Sequence, residues 1–456
     1  MRVELINIGT ELLMGFVVNT HAAYLGQKLS GMGATLIRQV CVNDTPADIR
    51  DALHEATSRA DLVITTGGLG PTSDDLTRDI VVQILGMKMH FDQRAMERIR
   101  VRYQRRKMKM PKSVKSQAMV PDGATVLYNE NGTAPGLAIP LPVTSQLPGG
   151  SVVIDRRYKP GSTVAAVYDR RVDPAKTASS RLSTARWLLM LPGPPRELRP
   201  MFEKQALPIL IREFRSQLPV IDCRVFRIAG LGESNVEQMV KTALNGIQNL
   251  EIGYCARVGE VDLRLVVRGI NATKVRKLAN QAETRVRQTL GDAIFGTGSM
   301  TLEQVVVSML RQKKRWVTTA ESCTGGYLAN RITLVSGSSE VFREGWVTYA
   351  NDAKVKTLGI SRSMIAEFGA VSEPVARAMA KAALQKANAD HALAVTGIAG
   401  PTGGTKDKPV GAVFIALASR RKMRVERFCF RLDRETFKFI AAQTALNMLR
   451  KELLKY

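Results

Sequence analysis

The stretch that decides the fold of the first part of the chain is DLVITTGGLGPTSDDLT, residues 61–77. Asp61–Thr66 is an apolar, β-branched run typical of a buried strand, and it leads directly into a glycine-rich loop. Four segments before it alternate between strand and helix patterns: Val3–Ile8, Asn19–Leu29, Ala34–Val42 and Pro46–Ala56. This order predicts a parallel sheet with helices on both faces.

The length and charge of the chain limit the classes of protein to consider. The 456 residues predict about three domains. Sixty-six Lys and Arg against 41 Asp and Glu give a net charge of +25, which favours anionic partners, with a generally basic surface as the alternative. No run approaches the roughly 20 apolar residues of a membrane span, and the five scattered cysteines argue against disulfides and structural zinc. We therefore expect a cytoplasmic protein with no membrane partner. Its charge favours nucleotides, nucleic acid or acidic surfaces as partners, and nucleic-acid binding that rests on charge alone is non-specific.

Composition divides the chain into three predicted domains, residues 1–215, 220–296 and 300–456. Within the first, Leu141–Arg186 is rich in Pro, Gly, Ser and basic residues and predicts an inserted loop. The second has a β-α-β-β-α order, a small α+β connector whose first helix we expect Ser234 to cap. A KH-like domain is disfavoured there because acidic residues follow GLGES, residues 230–234. The third is again a layered α/β domain.

Residues 93–117 form a strongly basic stretch with helical character up to Pro111. Such a stretch is either a solvated helix face or a surface that gathers anions. The sequence leaves both interpretations open.

The glycine-rich loop is the first candidate site. Its glycines allow the backbone to approach an anionic ligand, and Asp74 and Asp75 follow them. Two carboxylates beside a phosphate need a cation between them, so the pair predicts a divalent metal ion. The alternative is that one carboxylate caps the next helix and the other faces water.

ESCTGG, residues 321–326, is the second candidate site. Ser322 follows a predicted strand and precedes a helix, a position suited to a nucleophile beside helix N–H groups. We expect the N–H groups of Thr324, Gly325 and Gly326 to hold an oxyanion. Lys354 is the candidate base, and Cys323 is the rival nucleophile. His391 starts a strand and is poorly suited to act as the base.

A second glycine-rich loop follows the predicted strand His391–Thr396. It either cradles a phosphate or is a turn without a ligand. Its glycines are Gly397, Gly400, Gly403 and Gly404.

Five motifs of the first part resemble, in order, the N-terminal domain of the competence/damage-inducible CinA family: GTELLMG, Asn19, TTGGLGPTSDDLT, NGTAPG and LPGPPREL. The resemblance implies a molybdopterin-binding-like (MoaB/MogA-like) three-layer α/β fold and metal-dependent hydrolysis of ADP-ribose. The Leu141–Arg186 insertion departs from the family, in which a short turn joins the two strands. The residues implied for this site are Thr10, Glu11, Asn19, Gly67, Gly68, Gly70, Thr72 and Thr133, with Asp74 and Asp75 as metal ligands.

Residues 300–456 resemble the CinA C-terminal domain in ESCTGG, SGSSEVF, GWVTYANDAK, FGAVSEPV and VTGIAGPTGG. This domain is similar to a nicotinamide-nucleotide amidase that needs no metal or other cofactor. The resemblance implies Ser322 as nucleophile, with Ser338 or Ser339 in reserve, Lys354 as base and Tyr349 as a further catalytic residue. Implied substrate-binding residues are Thr324, Gly325, Gly326, Ser338, Ser339, Thr396, Gly397, Gly400, Gly403, Gly404 and Arg434.

Two departures from the family fall in this domain, Ala350 in place of a frequent Ser and Lys438 in place of an Arg. The resemblance also implies a homodimer. We expect nicotinamide mononucleotide deamidase activity, with a second N-terminal ADP-ribose pyrophosphatase activity. The alternatives are an ADP-ribose hydrolase with an inactive C-terminal domain and a non-enzymatic protein that binds nucleic acid or molybdopterin.

Overall fold

The structure is a computed structural model that describes residues 1–141 and 186–455. Contacts between residues divide it into two compact units, Met1–Ile221 and Asp222–Tyr456. Residues 142–185, nearly all of the predicted insertion, lie outside the described residues. In the described part of the chain, no helix combines the length and the apolar character that crossing a bilayer requires.

The first unit alternates strands and helices. Its strands are β1 (Arg2–Ile8), β2 (Thr35–Val42), β3 (Leu62–Thr66), β4 (Met89–Phe91), β5 (Met119–Pro121), β6 (Thr125–Leu127), β7 (Gly136–Leu141) and β8 (Arg186–Leu191). Its helices are α1 (Thr10–Leu13), α2 (His21–Gly31), α3 (Pro46–Arg59), α4 (Thr77–Leu85), α5 (Gln93–Arg105), α6 (Pro195–Met201) and α7 (Leu207–Glu213). The four predicted segments before residue 61 are confirmed as β1, α2, β2 and α3.

The main sheet of this unit is mixed rather than parallel throughout. Its order is β2-β1-β3-β8-β7-β6. The first four strands are parallel, but β7 runs antiparallel to both β8 and β6, which corrects the prediction of an all-parallel sheet. Apolar clusters cover both faces, one around Leu5 and Leu25 and the other around Ile6 and Ile49. The expected three-layer α/β arrangement is therefore present.

Local sequence explains where helix α3 begins. Thr45 accepts a hydrogen bond from the Asp48 N–H at 3.2 Å and is followed by Pro46, so α3 starts with the predicted cap. The basic helix α5 ends at Arg105, several residues before Pro111. Strands β7 and β8 remain paired as far as Leu141 and Arg186, so the chain leaves and re-enters the sheet at adjacent positions.

The second unit contains the connector and the C-terminal domain. Its strands are β9 (Val220–Ala229), β10 (Leu250–Arg257), β11 (Glu260–Gly269), β12 (Ile294–Thr297), β13 (Val317–Glu321), β14 (Phe342–Val347), β15 (His391–Gly397), β16 (Ala412–Ser419) and β17 (Met423–Cys429). Its helices are α8 (Glu233–Leu244), α9 (Ala272–Leu290), α10 (Leu302–Gln312), α11 (Tyr327–Thr333), α12 (Asn351–Leu358), α13 (Arg362–Phe368), α14 (Glu373–Lys386) and α15 (Arg434–Leu453).

The connector has the predicted β-α-β-β-α order, and β12 adds a fourth strand to its sheet. The predicted Ser234 cap is wrong. Helix α8 begins at Glu233, and its N-cap is Gly232, which lies two residues before Ser234 and has no side chain that could accept a hydrogen bond.

The C-terminal sheet has the order β14-β13-β15-β16-β17. Strands β14, β13 and β15 are parallel, so their carboxyl ends meet at one edge, and β16 and β17 continue the sheet in antiparallel pairs. Helix α15 packs on one face and buries Phe437, Leu446 and Leu449 in a core cluster that also contains Ala229 and Phe295 of the connector. The two parts therefore share one hydrophobic core.

Candidate active sites

The N-terminal cavity lies where three parallel strands end. Gly9 follows β1, Gly67 follows β3 and Pro192 follows β8, and all three line a cavity of about 380 Å³. Small-molecule sites have volumes of roughly 300–1,000 Å³ and favour the carboxyl edge of such sheets. The motifs that the sequence singled out in this unit are therefore neighbours in space.

Most of the residues predicted for this site line the cavity, namely Glu11, Gly67, Gly68, Gly70, Asp74, Asp75 and Thr133. Three others do not line it and bind neighbouring residues instead. The Thr10 N–H donates to Asp44 at 2.9 Å, and the Thr72 N–H donates to Asp75 at 2.9 Å. Asn19 accepts from the N–H of the next helix, at 3.0 Å.

The glycines of the first loop are required by the fold itself. Gly67 has φ of 96°, and a Cβ there would lie 2.2 Å from the carbonyl oxygen of Ile8. A Cβ on Gly68 would lie 1.9 Å from the hydroxyl of Thr77. Close packing of the loop against β1 and α4 therefore explains both glycines without a ligand.

The carboxylates around this cavity do not form a ready metal site. Among the described residues no group of three or more His, Cys, Asp or Glu side chains is arranged to hold a metal ion. The Asp75 carboxylate is engaged by Thr72, and Asp74 is exposed. The capping alternative is wrong, because the N-cap of α4 is Leu76 and no side chain caps the helix.

His21 was missed by the sequence analysis. It is buried at the start of α2, and its Nε2 lies 2.6 Å from the carbonyl oxygen of Gly193, which lines the cavity. Burial lowers the pKa of His21, so the neutral ring donates through Nε2. Nothing in the pattern around a single histidine at a helix start distinguishes it from a core residue.

The C-terminal domain brings Ser322 and Lys354 together. Ser322 directly follows β13, and Lys354 lies on α12, which follows β14. Lys354 Nζ lies 3.0 Å from Ser322 Oγ, 2.9 Å from the carbonyl oxygen of Thr348 and 3.2 Å from that of Tyr349. Only 1% of Lys354 is exposed. Two segments far apart in sequence thus form a buried pair at the carboxyl edge of the sheet.

The partners of Lys354 suit a neutral amine. Burial lowers the pKa of Lys354, and its hydrogen-bond partners among the described residues include no carboxylate. Carbonyl oxygens only accept, so Thr348 and Tyr349 take both hydrogens of a neutral amine. Its lone pair then faces the hydroxyl of Ser322, which is the arrangement that a general base needs.

The N–H groups near Ser322 differ from the expected set. The Gly325 N–H donates to the Ser322 carbonyl at 3.1 Å, and the Gly326 N–H donates to the Glu321 carboxylate at 3.0 Å. These two groups are therefore already engaged. Among the described residues, the N–H groups of Cys323 and Thr324 have no oxygen acceptor. Both N–H groups also interact with the Cys323 thiol and lower its pKa, so an oxyanion would compete with that sulfur for these two donors.

Glu321 was also missed. Its fully buried carboxylate accepts three backbone hydrogen bonds, from Gly326 at 3.0 Å, Leu328 at 3.0 Å and Ala329 at 2.8 Å. It thus satisfies N–H groups at the start of α11 that have no partner within the helix. A Glu at the end of a strand carries no sequence signal for this role.

The two alternatives to a Ser–Lys pair are weak in this geometry. Burial raises the pKa of Cys323 to about 12, so its thiol stays protonated and is a poor nucleophile. His391 starts β15 and therefore lies at the opposite end of the strand from the Ser322 edge. Burial lowers the pKa of His391.

Arg434 connects three of the predicted elements at this edge. It donates to the Gly400 carbonyl at 2.8 Å and also donates to the hydroxyl of Tyr349. A Cβ on Gly325 would lie 3.7 Å from Lys438 Nζ, so this ammonium group is close to the Ser322 turn. Two cationic side chains of the first turns of α15 therefore lie near the candidate nucleophile or the second glycine-rich loop.

The remaining predicted residues fall into two groups. Thr396 and Gly397 are the last residues of β15, and the loop that contains Gly400, Gly403 and Gly404 follows them. The Thr396 hydroxyl donates to the Ala370 carbonyl at 2.8 Å. Ser338 and Ser339 instead precede β14, which runs parallel to β13. They therefore lie at the amino edge of the sheet, and this chain does not bring them to Lys354.

Ala350 is the N-cap of the helix that carries Lys354. It has no side chain that could bond the first turn, whereas a serine at this position is a preferred cap. This chain therefore lacks the capping side chain that a serine at residue 350 would provide for α12.

Sequence comparisons cover nearly the whole chain. A model described as the CinA C-terminal domain matches residues 299–453, and one described as a probable molybdopterin binding domain matches residues 4–212. A third, described as the damage-inducible protein CinA KH domain, matches residues 223–296. A CinA-like protein of Akkermansia muciniphila is 42% identical over 447 residues, which are 98% of this chain and 96% of that protein.

The chain belongs to the CinA family. A putative competence-damage inducible protein of Caldicellulosiruptor bescii is 39% identical over 456 residues and all of both chains. Among solved structures, a competence/damage inducible protein of Agrobacterium tumefaciens shows 40% identity over 33% of this chain and 92% of that one, with a TM-score of 0.33. In this CinA-family chain the expectation against a KH-like connector is wrong, because the KH model matches that segment.

Proposed function

We propose that the C-terminal domain hydrolyses the carboxamide of nicotinamide mononucleotide to the acid and ammonia. The observation that carries the proposal is the 3.0 Å contact between Ser322 Oγ and the desolvated Lys354 Nζ. A serine activated by a lysine of lowered pKa is a known route to attack on acyl carbon. The substrate itself is taken from the family resemblance.

The proposed chemistry has two steps. Ser322 Oγ attacks the carboxamide carbon as its proton passes to Lys354 Nζ, and the N–H groups of Cys323 and Thr324 bind the oxyanion. The Lys354 ammonium then protonates the leaving nitrogen, and ammonia departs from an acyl-serine. Water attacks this ester while Lys354 takes its proton, and collapse to the carboxylic acid returns the proton to Ser322.

The charged groups at this edge fit a substrate that carries a phosphate. The ammonium group of Lys438 lies near the Ser322 turn, and Arg434 is fixed against the glycine-rich loop. Both would attract the phosphate of a mononucleotide.

The test is ammonia release from nicotinamide mononucleotide by the purified chain and by Ser322→Ala and Lys354→Met. Loss of a buried nucleophile or base lowers kcat by roughly 10³-fold or more. Ser339→Ala is a matched control, because it removes the same hydroxyl at the other edge of the sheet. Undiminished release by Ser322→Ala and Lys354→Met would overturn the proposal.

A second candidate function is hydrolysis of ADP-ribose by the N-terminal domain, which the family resemblance implies. Its support is the cavity of about 380 Å³, lined by loop backbone and by carboxylates including Glu11 and Asp75. The described residues form no group of three side chains that could hold a metal ion by themselves. Magnesium is commonly held by one or two carboxylates together with substrate phosphates, so a metal would bind here with the substrate.

A further inference from the structure

A second, smaller hollow adjoins the N-terminal cavity. Its volume is about 160 Å³, and its lining includes Arg102, Arg106 and Arg196. Thr133 and Glu197 line both spaces. A ligand in the larger cavity can therefore extend into a chamber walled by arginines.

The hollow carries an excess of positive charge. Among its described lining residues Glu197 is the single carboxylate, and that carboxylate also accepts a hydrogen bond from Asn129 Nδ2 at 2.8 Å. Arg196 Nε lies 4.0 Å from Glu197 Oε1, at the limit of an ion pair. Three guanidinium groups and one carboxylate give the described lining of the hollow a net charge of +2. Cations held together in this way repel one another unless an anion lies between them.

The three arginines come from different elements, which converge on one point. Arg102, on α5, donates to the carbonyl oxygens of Glu130 and Asn131, and this fixes its guanidinium against the turn before Thr133. Arg106 follows the end of α5 and is exposed. Arg196 lies in the first turn of α6, with 72% of its side chain exposed. After burial, the charges of Arg106 and Arg196 are what lower the pKa of Arg102.

We propose that this hollow binds the phosphate group of a small phosphorylated molecule whose remaining part occupies the N-terminal cavity. Guanidinium groups bind phosphate through paired N–H donors, and one fixed and two movable arginines suit such a group. The inference rests on the second candidate function and deepens it, because it assigns a phosphate subsite beside the same N-terminal cavity. Two of the three arginines, Arg102 and Arg106, belong to the basic stretch 93–117, so the proposal uses the interpretation of that stretch as a surface that gathers anions.

The small volume of the hollow, about 160 Å³, favours a phosphorylated small molecule over nucleic acid as its ligand. A duplex needs cations spread along its backbone. On the same helix, however, Arg94 and Arg98 lie over the ring of Tyr128, at 4.6 and 4.9 Å. The arginines of α5 are thus divided between an aromatic stack and a chamber of about 160 Å³.

The experiment is isothermal titration of the full chain with inorganic phosphate. The test variant is Arg106→Gln combined with Arg196→Gln, since both side chains are exposed and their loss leaves the Arg102 contacts intact. Arg105→Gln is the matched control, because it removes an exposed charge from the same helix outside the hollow. We expect the double variant to lose one equivalent of bound phosphate or to bind it at least tenfold more weakly, roughly the effect of one charge-assisted hydrogen bond. The control should stay within twofold.

Glu197→Gln tests the same proposal through an expected increase in phosphate affinity. Removing the negative wall charge should strengthen phosphate binding severalfold. Circular dichroism establishes that each variant is folded. Equal phosphate stoichiometry and affinity in the parent and the double variant would overturn the proposal. So would a double variant that loses duplex DNA binding, measured by fluorescence anisotropy, while its phosphate binding is unchanged.

Discussion

Glu321 and Ala329 are joined by a hydrogen bond of 2.8 Å, from the backbone N–H of Ala329 to the Glu321 carboxylate. The same carboxylate bonds Gly326 and Leu328, so the residue before Ser322 is tied to the helix after it. Ser322 lies inside the loop that these bonds close. Glu321 therefore positions the candidate nucleophile without contacting a substrate.

Glu321→Gln should destabilise the second unit and lower amidase activity through kcat. The amide loses the negative charge and turns its NH₂ group toward backbone donors. We expect a loss of about 2–3 kcal/mol in the free energy of unfolding, measured with urea, since hydrogen bonds to charged groups are worth roughly 1.5–3 kcal/mol each. KM should change little, because the cationic groups near the site are untouched. Equal falls in kcat for Glu321→Gln and for a surface variant of similar stability would contradict a positioning role.

The amidase activity should rise with pH through a pKa below the usual lysine value of 10.5, because burial lowers the pKa of Lys354. The neutral amine is the base, so kcat/KM increases as the proton leaves and levels off once it is lost. Lys354→Arg keeps the cation at every pH and should be inactive throughout. A rate that falls over the same pH range would exclude Lys354 as the base.

The same lysine makes stability depend on pH. Its folded pKa is below the unfolded 10.5, so between these values the unfolded chain binds more protons. The free energy of unfolding therefore gains a contribution that rises with pH in this window. Lys354→Met should remove that contribution, as urea denaturation at a series of pH values can measure.

Cys323→Ala should retain most of the amidase activity, because the pKa of about 12 keeps the thiol protonated at neutral pH. Ammonia release before and after treatment with iodoacetamide provides the measurement. Alkylation should be slow, since only 5% of Cys323 is exposed. Rapid inactivation that Cys323→Ala abolishes would make the cysteine the nucleophile instead of Ser322.

Lys438→Arg should lower KM for nicotinamide mononucleotide severalfold and leave kcat within about twofold. Arginine binds a phosphate through two parallel N–H groups, whereas lysine acts as a point charge. Lys438→Gln is the companion variant and should raise KM. A KM that is the same in all three proteins would place the phosphate elsewhere.

Chelation should separate the two candidate activities. Ammonia release needs no metal in the proposed chemistry, so EDTA should leave it unchanged. Hydrolysis of ADP-ribose should require added Mg²⁺ and should fall by at least tenfold in Asp75→Asn, if the N-terminal carboxylates hold the metal with the substrate. ADP-ribose hydrolysis that persists in EDTA would exclude a metal at Asp75.

Much of the fold follows from local sequence signals. The alternation of apolar runs with amphipathic segments predicts β1 to β3 and the helices between them, and Thr45 with Pro46 marks a helix start. The same approach fails for Ser234, since the pattern of a cap cannot show that the actual N-cap is Gly232, two residues earlier. It also misses the reversed direction of β7, because strand direction depends on the pairing partner rather than on the strand's own residues.

The candidate site was only partly predictable. A serine between strand and helix is visible in sequence, but the approach of Lys354 depends on where a neighbouring strand ends. Sequence also does not show which N–H groups are already occupied, and so Gly325 and Gly326 were expected to bind an oxyanion although both have partners. The partner of Gly325 is the Ser322 carbonyl within the turn, and the partner of Gly326 is the buried Glu321 carboxylate, which no spacing rule marks.

Helix α15 has a consequence for how the second unit opens. Two side chains of this helix bond the connector: Gln443 Nε2 donates to Glu260 at 2.5 Å, and Arg450 donates to the Asp292 carbonyl at 2.5 Å. Other residues of the same helix pack in the hydrophobic core with residues of β15 and β16. Slowly exchanging amides of β9 and of α15 should therefore share one opening free energy in hydrogen exchange. We expect the connector and the C-terminal domain to open as one foldon, so that a destabilising substitution in either lowers the protection of both.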